Sequence, residues 1–171
     1  SSYGRVDFGT MVDGHFVPTD HEQNPDLSDL NIPKEKVVSI KGFQKNILMI
    51  HPYPGLDYSK IVIDESVGAV LHCLYHSATA CSSVGKYSAV EFIRNCKEKG
   101  VETYVSSFKQ ETNGLYATSI DVLEAGAIPL VNISTEAAFT KLMVAYNQNE
   151  MDPKEFMQAN IYYEMLPAAK I

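Results

Sequence analysis

The stretch LHCLYHSATACSS, Leu71 to Ser83, gathers two cysteines, two histidines and the hydroxyls of Ser77, Thr79, Ser82 and Ser83. Three chemistries compete for it. A metal site needs three or four converging ligands with supporting partners behind them. His72 and Cys73 are adjacent, so on a strand they point to opposite faces, and Cys73 meets His76 only through a bend. A nucleophile with its base would pair Cys81 with His76, but no third group is in place to orient the histidine. The remaining reading is structural: a strand that buries Cys73, then a small-residue turn that lets the next helix pack closely. The residues favour this last reading.

The elements that position this stretch follow from periodicity. Short apolar runs at VVSI, ILMI, GAVLHCL, VETYVSSF and GAIPLVNI are each bounded by Gly, Pro or Asn and read as strands. Helices alternate with most of them. One begins at Ser88, where Ser88 and Glu91 form a capping box, Tyr87 and Phe92 occupy the staple positions, and Lys99-Gly100 ends it. A second runs from about Ser134 to Asn147 with Glu136 in its first turn, where the helix dipole favours a carboxylate. A third starts at Asp152-Pro153 and stops before Pro167. This alternation predicts a three-layer α/β/α domain around a roughly four-stranded parallel sheet. Ahead of it, VDFGTMVDGHFV reads as a hairpin about Asp13-Gly14, and PTDHEQNPDLSDLNIP as an acidic surface linker. The expected division is residues 1–36 as hairpin and linker and 37–171 as the α/β domain.

Bulk properties narrow the class. At 171 residues, 45% of them hydrophobic, the chain is long enough for one domain with a real core. A net charge of −7, without a basic stripe, argues against a nucleic-acid surface. No apolar run approaches the roughly 20 residues of a membrane span. Three cysteines without framework spacing fit a reduced, cytoplasmic setting. The start at Ser1-Ser2, without a methionine, reads as that of a processed or excised fragment.

Five stretches in order resemble the C-terminal domain of bacterial-type L-asparaginases. YHSATACSS is similar to its loop-bearing strand end, and ILMIHPYPGLD to a strand ending in Tyr53-Pro54-Gly55. SAVEFIRNCKEKGVETYVSS resembles its helix, Gly-Val and following strand. NGLYATSIDVLEAGAIPL resembles the segment ending in Ala-Gly-Ala-Ile-Pro, and STEAAFTKLMVAY the helix bearing Glu136 to Leu142. GRVDFGTMVDGHF resembles the strand region where the family's N-terminal domain meets the linker. The family's nucleophilic threonine motifs, Thr-Gly-Gly-Thr and Gly-Thr-Asp-Thr, do not occur here.

The resemblance therefore implies the C-terminal part of an amidohydrolase that converts L-asparagine to L-aspartate and ammonia, with no catalytic residue in this chain, no metal and no cofactor. It implies a dimer or tetramer, with an N-terminal asparaginase domain as further partner. It also implies that Glu136 and Asn113 reach a small amino-acid substrate in a neighbouring subunit. By residue type alone, Asn113-Gly114 is a turn and Glu136 a dipole-favoured cap. His51 reads as a turn histidine, Lys141 as a solvated residue or a partner for carboxylates on the Glu136 side, and Tyr162-Tyr163 as packing on the sheet. Two other functions fit the same residues: a non-catalytic binding or dimerisation module, and the asparaginase-like subunit of a tRNA-dependent amidotransferase.

Overall fold

A computed structural model of the chain describes residues 6–22, 24, 26, 28, 38–75, 78–106, 108, 115–162, 164 and 165. The hairpin forms as its turn chemistry requires. β1 (Gly9–Val12) pairs antiparallel with β2 (His15–Pro18). Asp13 and Gly14 between them both have positive φ, 48° and 79°, the pair of left-handed residues that a two-residue turn of matching twist demands.

A four-stranded parallel sheet follows in the order β3 (Asn46–Ile50), β4 (Val67–Cys73), β5 (Glu102–Ser106), β6 (Ile128–Pro129). All three pairings are parallel. β4 and β5 are central and buried on both faces, hence their near-continuous apolar sequence. β6 sits at an edge, where Pro129 can be tolerated because its missing N–H faces away from the ladder.

Strand order equals sequence order, so crossovers of one hand put their helices on one face. That face carries α1 (Ala89–Glu98), α2 (Ala117–Glu124) and the 3-10 turn Tyr58–Lys60, over a core that includes Val70, Phe92, Ile93, Val105 and Val122. The other face is covered by the chain after β6: α3 (Thr135–Ala145) and α4 (Pro153–Gln158), packed over Leu71, Tyr104, Leu142 and Phe156. The period of two along β4 and β5 thus deals alternate residues to two separate cores. The expected three layers and four parallel strands are present.

Several local expectations change. VVSI adds no strand: residues 38–40 are irregular, and Val38 only packs beside the second core while Ser39 N donates to Glu150. The last helix stops before Pro167 as expected, ending at Gln158 where Ala159 turns to extended backbone. α2 is a helix the spacing did not announce, since its N-cap Tyr116 makes no side-chain capping bond. At α1 the Ser88 hydroxyl caps Glu91 N as the capping box predicts, but the Glu91 carboxylate accepts from Gly85 N. Phe92 packs on Tyr58, ring centroids 5.1 Å apart, whereas Tyr87 is exposed beneath the Lys86 ammonium.

Candidate functional site at the carboxyl edge of the sheet

In a parallel sheet the strands' carboxyl ends open onto the ligand-facing edge. Here that edge carries Met49 and His51 at the end of β3, Cys73 at the end of β4, Ser106 at the end of β5, and the first turn of α3. β-strand alternation puts Met49, Cys73 and Ser106 on the α3 side of the sheet. α3 is started by Ser134, whose side chain accepts from Ala137 N, and it follows Asn132, held at φ 59°. This start sets Thr135 and Glu136 beside the strand ends.

The contacts form a chain. The Thr135 hydroxyl donates to Ser106 Oγ at 3.2 Å. The Ser106 hydroxyl stands near the Cys73 sulfur and favours its thiolate. Cys73 Sγ lies 3.9 Å from His51 Nε2, and the same nitrogen is 3.1 Å from Met49 Sδ. Glu136 is exposed and close enough to act on the thiol through its charge. Burial pushes the Cys73 thiol up; the Ser106 hydroxyl offsets part of that rise, and the Glu136 carboxylate adds to it. The thiol therefore stays protonated at neutral pH. A nucleophilic cysteine needs the opposite environment, with cations or a helix N-terminus stabilising the thiolate. Among the described residues no carboxylate holds His51 as a base would be held, so this edge lacks a Cys–His catalytic pair.

The other singled-out residues divide as follows. His72 points to the opposite face from Cys73, fully buried and 2.7 Å from the Tyr58 hydroxyl. Burial pushes His72 down to about 4, leaving it neutral and part of the core. Cys73 is buried, as the structural reading of LHCLYHSATACSS predicts, and Cys81 contacts Ser83 Oγ at 3.0 Å. Lys141 is not solvated. It is 4% exposed and pairs with Glu164, while donating to the Ala159 carbonyl. Tyr162 is exposed, not laid on the sheet. Asn113, His76 and Tyr163 lie outside the described residues. Among the described residues no three His, Cys, Asp or Glu side chains cluster as a metal site, and no described helix is long and apolar enough to cross a membrane.

Sequence reasoning finds Glu136 and the strand end at Cys73, but it does not single out Met49, Ser106 or Thr135. The available signal is positional: each stands at the final turn of an apolar run or just after an N-cap. Only the lateral register of β3, β4 and β5 brings them together.

No family model matches the sequence, and no curated protein matches it. Among solved structures, L-asparaginase I from Vibrio cholerae is 25% identical, with a TM-score of 0.59, over 76% of this chain and 40% of that one. The thermostable L-asparaginase from Thermococcus kodakarensis is 17% identical, with a TM-score of 0.65, over 98% of this chain and 50% of that one. The chain thus spans half or less of the length of these enzymes, and over that span it shares their α/β fold.

Proposed function

We propose that this chain is the C-terminal domain of an L-asparaginase-type amidohydrolase acting in the cytoplasm, with the nucleophile supplied by an N-terminal domain. The observation that carries the reading is the lopsided match: nearly all of this chain aligns with half of an L-asparaginase. The sequence is consistent with it, since neither threonine motif occurs within these 171 residues. The carboxyl edge also supports it, because its thiol is held protonated while an exposed carboxylate stands in the first turn of α3.

In this reading Glu136 serves a neighbouring subunit of a dimer or tetramer. There its carboxylate pairs with the α-ammonium of the amino-acid substrate, a charge-assisted contact worth about 1.5–3 kcal/mol. Asn113 supplies an amide to the same substrate. The reaction itself needs an activated hydroxyl nucleophile, and in this reading that comes from the N-terminal domain.

The test uses the complete reading frame that contains this sequence. Expressed and purified, it should release ammonia from L-asparagine, and Glu136→Gln should lower kcat/KM by about 10- to 1,000-fold. The 171-residue chain alone should release none above buffer. A complete protein that self-associates but leaves asparagine intact would instead make the domain a binding or dimerisation module.

A further inference from the structure

Met49, His51 and Cys73 form a constellation that the amidohydrolase reading does not use. Met49 lies near the end of β3 and His51 just after it, and their side chains meet, while Cys73 ends the adjacent strand β4. The ring nitrogen His51 Nε2 faces both sulfurs at once, at 3.1 Å from Met49 Sδ and 3.9 Å from Cys73 Sγ. For a trigonal d10 ion, metal–sulfur and metal–nitrogen bonds of about 2.3 and 2.0 Å place S and N about 3.7 Å apart. The two observed separations bracket that value. The unbranched Met49 side chain has the freedom to back away by the roughly 0.6 Å required.

The geometry points to a binding site for a single Cu(I) ion, held by Met49 Sδ, His51 Nε2 and Cys73 Sγ. Ligand chemistry selects the ion. A thioether and a thiolate among three ligands favour a soft cation, whereas Zn(II) asks for four ligands and gains little from a thioether. On binding, the Cys73 S–H bond breaks, its proton leaves to solvent, and the S–Cu bond forms with no change in oxidation state. Thiolate and Cu(I) charges then cancel, which suits a site where Cys73 is buried and Met49 half-buried. The Ser106 hydroxyl, itself held by Thr135, stands near the sulfur and would support it once bound. His51 is exposed and provides the route in.

The experiment is an anaerobic Cu(I) titration of the full 171-residue chain against a chromophoric Cu(I) chelator. One equivalent should be withheld from the chelator. Cys73→Ser should weaken binding by at least about 100-fold, and Met49→Leu and His51→Ala by about tenfold each. Cys81→Ser should leave it unchanged, and Zn(II) at the same concentration should not displace the ion. His51→Ala changes an exposed residue and keeps the test open if Cys73→Ser fails to fold. No equivalent withheld, loss confined to Cys81→Ser, binding as tight as the parent's in both Met49→Leu and His51→Ala, or displacement by Zn(II) would each overturn the assignment.

Discussion

Lys141 and Glu164 show how a single buried charge is held. The Lys141 side chain is 3% exposed and that of Glu164 12%, and Nζ also donates to the Ala159 carbonyl. A buried ammonium persists only when paired and hydrogen-bonded. Lys141→Met should therefore cost about 3–5 kcal/mol, since it strands the Glu164 carboxylate. A second change, Glu164→Gln, should recover part of that loss in urea unfolding. The pH dependence has a definite sign. Burial alone raises the Glu164 carboxyl, but Lys141 and the backbone donors of Glu164 and Tyr162 outweigh it and hold it below its ordinary 4.5. The folded state thus binds this proton less readily than the unfolded chain. The pair's contribution is complete above pH 4.5 and is lost as pH falls through the folded value. Urea midpoints measured between neutral pH and pH 3 should show that acid loss in the parent and a smaller one in Lys141→Met. Only part of this is legible locally: the lysine after EAAFT reads as solvated or as a partner for carboxylates on the Glu136 side, whereas its actual partner, Glu164, comes from beyond the next helix. Glu136 was legible because its position depends only on the cap two residues before it.

At the level of elements, what could be read in advance is what short-range chemistry decides. Ser88, Ser134 and Asp152 each cap the helix they were expected to start. Lys99-Gly100 closes α1 with Gly100 at φ 73°, Gly100 N bonded to Lys97 O and Val101 N to Cys96 O. The same closure ends α2 at Gly126. The missed start of α2 and the illusory strand at VVSI lack such signals; packing decides both. Ser134→Ala should cost about 1 kcal/mol, the usual worth of an N-cap hydroxyl. Thermal unfolding measures it, and an unchanged melting temperature would mean that α3 is held by its core contacts alone. Gly68 is a further element-scale site. It lies where β4 meets the irregular start of β3, and a Cβ there would stand 2.9 Å from Lys45 Cβ and 3.2 Å from Tyr146 Cβ. These are inner side-chain atoms that cannot swing away. Gly68→Ala should therefore destabilise by about 1–3 kcal/mol, as overpacking does.

For the whole molecule, the consequence of the topology is that stability resides in one sheet with a core on each face. The first core joins the sheet to α1 and α2, and the second joins it to α3 and α4. No residue of the hairpin belongs to either core. Met11, Val12, Phe16 and Val17 of the hairpin are all exposed, and an isolated two-stranded hairpin is at best marginally stable in water. The hairpin therefore adds little to the cooperative unit. If residues 1–36 are an appendage of a self-sufficient domain, a chain of residues 37–171 should keep the same urea slope per residue removed from water. Its unfolding free energy should lie within about 1 kcal/mol of the full chain, because none of the described residues in the deleted segment belongs to either core. Urea titration of the two chains, followed by far-ultraviolet circular dichroism, makes the comparison. A shortened chain that unfolds more than about 2 kcal/mol sooner, or without a cooperative transition, would place the boundary elsewhere and make the N-terminal segment an integral part of the fold.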